Sequence, residues 1–226
     1  MIKIEKINRE EALRYLSCSD EKSIGSTAAE IMDECEKMLL SVIAPKLVYR
    51  YFPISSSSDD KVALEGTPLV LTGKDITNHL AGCSGAVLIA ATIGPGADRL
   101  IRRLQVEDMA KAVITDAFAS CAAEQVCEYA EELIKNEFEG KYFTWRYAPG
   151  YGDLPIDIQK IFLDVTDAQR KAGICTSDSR MLTPIKSVTS VMGISEKPVP
   201  TRARGCVTCN MREVCNFRKR GMHCGS

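Results

Sequence analysis

Residues 86–93 are apolar at every position except Thr92, and Gly94-Pro95-Gly96 follows at once. A short apolar run closed by breakers is by its length a buried strand. A buried strand needs a core around it. With 226 residues, 45% of them apolar, the chain can supply one. The longest periodic stretch comes next, a helix expected over 108–138. Its first half is dense in small residues: Ala110, Ala112, Ala117, Ala119, Ser120, Ala122 and Ala123. Small side chains let another backbone or a ligand come close.

Around this centre the pattern is mixed. A short amphipathic helix and a loop are expected in 1–24. Thr27 with Glu30 has the form of a capping box, and apolar residues at helical spacing carry that helix to about Val42. Residues 46–54 alternate as a strand, with Leu47, Tyr49 and Tyr51 on one face, and the serine and aspartate run 55–60 is a turn. Short strands are expected at 62–65 and 69–71, and a short helix at 74–80. Gly94-Pro95-Gly96 lacks the G-x-G-x-x-G spacing, and Pro95 removes a donor. It is therefore a simple turn into a helix at 97–104. Then come a strand at 142–147, a Gly/Pro loop at 148–154, a helix from Pro155, a second at 164–172 and strands at 174–176 and 187–194. No internal repeat is present. The order of elements indicates a single α+β domain over residues 1–195 with a Cys-rich tail, 196–226.

The bulk properties narrow the function. The formal net charge is −1 and there is one Trp, so neither a basic field nor stacking platforms argue for nucleic acid. No segment is long and apolar enough to span a membrane, and the N-terminus lacks the core of a secretory signal. A cytoplasmic protein is expected. The chain has no nucleophile elbow, no P-loop and no His-Glu zinc helix. His79 stands alone on its short helix, where a surface or capping role is expected.

The informative run is Arg146-Tyr147-Ala148-Pro149-Gly150-Tyr151-Gly152-Asp153-Leu154-Pro155. An Arg ends a strand and offers a planar fork suited to a carboxylate. Two glycines let backbone approach a ligand, a helix start adds partial positive charge, and Tyr151 offers a ring and a hydroxyl. Such a loop can hold an amino-acid carboxylate beside a flat ring.

This run resembles the RxxPGY signature of the activation domain of cobalamin-dependent methionine synthase. YRYFPI at 49–54, ATIGPGADRL at 91–100, DMAKAVITDAFASCAAEQV at 108–126 and SRMLTPIKSVTSVMGIS at 179–195 resemble the family's single-domain relatives in the same order. The resemblance implies a loop that binds S-adenosylmethionine, with Arg146 on the methionyl carboxylate and Ala148, Gly150 and Tyr151 lining the ligand. It also implies an acidic residue on the long helix. Asp116 and Glu124, with Ser120 between them, share one drifting face, and Glu124 is preferred as partner for the ligand's ammonium. The family's C-terminal tyrosine pair has no counterpart, because no Tyr follows Tyr151.

The implied function is reductive reactivation of Co(II) cobalamin on a separate methionine synthase, an accessory role in methionine biosynthesis. The chain lacks the D-x-H-x-x-G run with which cobalamin modules supply a His ligand. The cobalamin is therefore expected on the partner, and the electron from an external reductant such as flavodoxin or ferredoxin. Two alternatives stay open: a reactivator of another corrinoid methyltransferase with a redox-active tail, and a non-enzymatic module that binds S-adenosylmethionine.

Six of ten cysteines are scattered, mostly in apolar stretches, where free Cys acts as a small hydrophobe. Cys206, Cys209, Cys215 and Cys224 crowd the end of the chain. Four thiolates opened by a C-x2-C pair suit zinc or an iron–sulfur cluster. Elemental analysis after anaerobic purification is expected to find zinc or iron bound. Less than about a tenth of an equivalent would leave these residues as free thiols.

Overall fold

The computed structural model describes residues 2–16 and 25–199, with Glu213 and Arg218 beyond them. In chain order the elements begin with helices α1 (Arg9–Tyr15) and α2 (Ser26–Val42). Strands β1 (Lys46–Ser57), β2 (Lys61–Leu64) and β3 (Val70–Thr72), helix α3 (Lys74–His79) and strand β4 (Gly85–Thr92) come next. Then come helices α4 (Pro95–Glu107) and α5 (Met109–Glu137), strand β5 (Tyr142–Phe143), helices α6 (Gln159–Thr166) and α7 (Ala168–Ala172), and strands β6 (Cys175–Thr176), β7 (Leu182–Thr183) and β8 (Ser187–Ser195). Six strands are ordered β3-β2-β1-β4-β8-β5, and β6 pairs with β7 in a separate ribbon. The α+β class is the one expected. The chain divides into two compact units. The first takes the chain up to Arg50, Leu88–Glu139 and Gln159–Ser190. The second takes Tyr51–Val87, Gly140–Ile158 and the chain from Val191.

In the first unit, residues of α1, α2, α4 and α5 share one core. The small residues of α5 serve it: Ala112, Ala119, Ala122 and Ala123 are buried, and Phe118 is buried in the same core. Asp108 caps α5, its carboxylate accepting the N–H groups of Ala110 and Lys111 at 3.0 and 3.2 Å. The capping box expected at Thr27 does not form. Helix α2 starts at Ser26 with Gly25 as its N-cap, and no side chain bonds there. Thr27 is already inside the first turn. Within the same unit Glu36 is only 7% exposed. It accepts the Ile7 N–H at 2.8 Å and the Arg9 Nε at 2.9 Å, which satisfies a charge that burial would otherwise penalise.

The Gly94-Pro95-Gly96 turn is a packing device. Gly94 has φ 83°, Pro95 starts α4, and a Cβ at Gly96 would lie 2.0 Å from the Val42 carbonyl oxygen. Only glycine lets the start of α4 approach the end of α2 this closely.

On β1 Leu47, Tyr49 and Tyr51, half-buried or exposed, alternate with the face that buries Val48 and Phe52. Other expectations need correction. The strand runs on through the serines to Ser57, because Ser56 and Ser57 pair with Ala63 and Val62 of β2. Backbone pairing holds a polar segment extended when its side chains alone would indicate a turn. The helix expected at 164–172 is two helices, α6 and α7, separated by Asp167 with φ 59°. No helix among the described residues is long and apolar enough to cross a membrane.

Gly96→Ala should lower stability by about 2 kcal/mol, as expected for forcing a methyl into a closed contact. Urea denaturation monitored by circular dichroism measures it, with the midpoint moving and the slope unchanged.

Candidate ligand-binding loop

The loop belongs to the second unit and begins with a fault in strand pairing. β5 and β8 are antiparallel, with Tyr142 opposite Ser195 and Phe143 opposite Ile194. The Thr144 N–H donates to the Gly193 carbonyl at 3.0 Å, and the Gly193 N–H donates to Thr144 Oγ1 at 2.8 Å. Pairing resumes at Tyr147 and Val191, which exchange both backbone hydrogen bonds at 2.8 Å. From Phe143 to Tyr147 is four steps, and from Ile194 to Val191 only three. One extra residue is therefore accommodated: Trp145 and Arg146 lie opposite Met192 in a β-bulge. A bulge bends the strand and re-aims its side chains. The straight strand expected over 142–147 is interrupted at the residue singled out as the carboxylate anchor.

Beyond Tyr147 the chain winds onto itself. The Gly150 N–H donates to the Leu154 carbonyl at 2.9 Å, and the Tyr151 N–H to the Ala148 carbonyl at 3.1 Å. The Leu154 N–H returns to the Tyr151 carbonyl at 3.0 Å. Tyr147, 6% exposed, donates its hydroxyl to the same carbonyl at 3.2 Å. Gly150 and Tyr151 thus offer a ligand an exposed backbone surface and a ring rather than these N–H donors. The Tyr151 ring is 65% exposed and stands edge-on to Tyr147, centroids 6.3 Å apart. Ala148 and Arg146 are half-buried.

Two positions admit only glycine. Gly152 has φ 52°, and a Cβ there would lie 2.2 Å from the Tyr147 hydroxyl and 2.5 Å from an Asp75 carboxylate oxygen. At Gly73, with φ 131°, a Cβ would lie 2.3 Å from Asp153 Oδ1. Asp153 explains that crowding. Its carboxylate accepts the N–H groups of Lys74 and Asp75 at 2.7 and 3.0 Å, the first two of α3. Gly73, the N-cap, makes no side-chain hydrogen bond. The cap of α3 therefore comes from the loop, and the loop is docked by it. Pro155 leads into a single 3-10 turn, Ile156–Ile158, ahead of α6.

His79 is neither on the surface nor a cap. It is 8% exposed, its Nε2 lies 2.8 Å from the Trp145 carbonyl oxygen, and its ring meets Trp145 and Tyr147 at 4.5 and 5.1 Å between centroids. His79, Asp75 and Asp153 are the residues of this region that pattern reading missed. Asp153, just before Leu154-Pro155, has the local form of a cap for the helix after it. In fact it caps one far earlier in the chain.

The acidic candidates of α5 belong to the first unit. Asp116 pairs with Lys186 at 2.8 Å, and Ser120 Oγ lies 2.9 Å from the same ammonium. Glu124 is half-buried beside α1; its charge, after burial, helps raise the pKa of the Tyr15 hydroxyl above its ordinary value. Cys206, Cys209, Cys215 and Cys224 lie outside the described residues. Among the described residues no cluster of His, Cys, Asp and Glu is arranged to hold a metal.

A vitamin B12 dependent methionine synthase activation domain model matches residues 76–199, from α3 through the loop and past β8. The chain belongs to that family. A solved structure described as the MetH reactivation domain bound to AdoHcy is similar in fold. Its TM-score is 0.66 at 14% identity, over 96% of this chain and 82% of that one. A search of curated proteins finds no match.

Asp153→Ala should cost about 1 kcal/mol, the usual loss of a cap at an exposed position. Thermal unfolding would show a lower midpoint, and hydrogen exchange should rise selectively at Lys74 and Asp75.

Proposed function

We propose that the protein binds S-adenosylmethionine at the 146–151 loop and supports reductive methylation of Co(II) cobalamin carried by a separate methionine synthase. Family membership supports the reaction class, and the single observation that carries the site is the break in strand pairing at Trp145 and Arg146, just ahead of a closed loop that leaves the Tyr151 ring exposed. The guanidinium is a fork for the methionyl carboxylate. The Tyr151 face suits the positive sulfonium or the adenine ring. Gly150, without a side chain, allows the ligand to lie against the backbone.

The methyl group on the sulfonium is electrophilic. An external low-potential donor supplies one electron, reducing the partner's Co(II) to Co(I). The reduced cobalt then takes the methyl group as a cation, and S-adenosylhomocysteine leaves. The loop's task is to hold the donor in line and exclude wrong orientations, which is a proximity effect. No proton needs to move.

A near-neutral chain has no strong steering field, so the encounter with the partner should be transient and only modestly salt-sensitive. The test mixes the protein with a Co(II)-state corrinoid partner, a low-potential reductant and S-adenosylmethionine, and monitors the visible spectrum. Methylation should require all four components. Arg146→Ala should weaken S-adenosylmethionine binding by about 1.5–3 kcal/mol, the range for a hydrogen bond to a charged group, and Arg146→Lys should recover only part of it. A partner methylated equally fast without this protein would overturn the proposal.

A further inference from the structure

Arg146 stands between two peptide groups, and both are held. On its C-terminal side the Tyr147 N–H donates to the Val191 carbonyl at 2.8 Å. On its N-terminal side the Trp145 carbonyl lies 2.8 Å from His79 Nε2, the contact that reaches it from another element, and also accepts the neighbouring Thr144 hydroxyl at 3.2 Å. A carbonyl carries no proton, so Nε2 must be the protonated nitrogen and the donor. The His79 ring is set against Trp145 at an interplanar angle of 68° and against Tyr147 at 43°. Helix α3 thus holds the loop twice, its first turn through Asp153 and its last residue through His79.

The peptide plane is rigid, so the orientation of the Trp145 carbonyl sets the orientation of the Arg146 N–H and with it φ of Arg146. A bulge with a loose peptide could turn its side chains to more than one direction. We infer that His79 is a positioning residue: it locks the Trp145–Arg146 peptide and so aims the Arg146 guanidinium. This rests on the proposed reading of the loop as the S-adenosylmethionine site.

The test compares His79→Leu, which removes donor and ring, with His79→Gln, whose side-chain amide can restore a donor near Nε2. Three measurements are made: affinity for S-adenosylmethionine by calorimetry, hydrogen exchange at the Arg146, Tyr147 and Val191 amides, and emission of Trp145, the chain's one tryptophan. His79→Leu should bind about tenfold more weakly, the factor that goes with misdirecting one charged hydrogen bond. Exchange at Tyr147 and Val191 should rise and Trp145 emission should shift. His79→Gln should recover most of the affinity and the protection. His79→Leu binding like the wild type would overturn the inference, as would equal losses in both variants with exchange unchanged. If the wild type itself fails to bind S-adenosylmethionine, the functional reading falls. The hold of His79 on the bulge is then decided by exchange alone: a rise in His79→Leu but not in His79→Gln supports it, and any other pattern overturns it. If His79→Leu does not fold, His79→Gln decides: near-native affinity and protection support the inference, and a tenfold loss with native exchange overturns it.

Discussion

The extra residue between Phe143 and Tyr147 is the constraint on which the loop depends. In a regular ladder Arg146 would keep the alternation of its neighbours, and its side chain would be committed to one face of the sheet. The bulge breaks that alternation at this point. Within it the half-buried Trp145 carbonyl accepts from the Thr144 hydroxyl and from His79 Nε2. His79 is the donor that comes from another element, a histidine buried among aromatic rings at the end of a six-residue helix.

The chain beyond the bulge is rigid for related reasons. Four hydrogen bonds, three of them backbone and one from the Tyr147 hydroxyl, close residues 147–154 upon themselves. Gly152 makes room for the hydroxyl and for Asp75, and Asp153 spends its charge on the first N–H groups of α3. An ordinary side chain at Gly152 would collide with the group that fixes Tyr147. The glycines that look like flexibility in the sequence are here the condition for close packing. A pre-ordered loop loses less entropy when it takes a ligand, so more of the contact energy remains as affinity.

The legible parts of the fold were those written in a single repeating pattern. The strand at 85–92 is buried along its whole length, and the long helix begins where Asp108 caps it and ends near Phe138. The Gly-Pro-Gly turn was legible as a turn, though not as a contact with Val42. Errors arose where tertiary pairing overrode local pattern. Ser56 and Ser57 are strand because β2 pairs with them, and the unexpected two-residue strand Leu182–Thr183 exists as the partner of Cys175–Thr176, which was expected. The run Arg146–Tyr151 was recognisable by its residue types and by resemblance. Its geometry was not, because a bulge has no composition of its own and its donor lies on another helix. Asp75, His79 and Asp153 are common residue types whose meaning comes only from what they meet in space.

On the proposed reading the loop acts as a holder rather than as an acid–base catalyst, and the arrangement of charge is consistent with that. A guanidinium stays protonated throughout the physiological range, so Arg146 can bind an anion but cannot relay a proton. The carboxylate of Asp153 is occupied by backbone N–H groups and the Tyr147 hydroxyl by a carbonyl. Each is committed to structure. Transfer of a methyl group from a sulfonium needs no proton transfer, because the leaving group departs as a neutral thioether. Such a step needs a fixed donor and a partner that can reach it. Interactions that fix a bound geometry accelerate only insofar as that geometry resembles the transition state. For an in-line transfer this places the demand on direction, and on the proposed reading of the loop that direction would be set at Arg146 by a bulge and the peptide groups on either side of it.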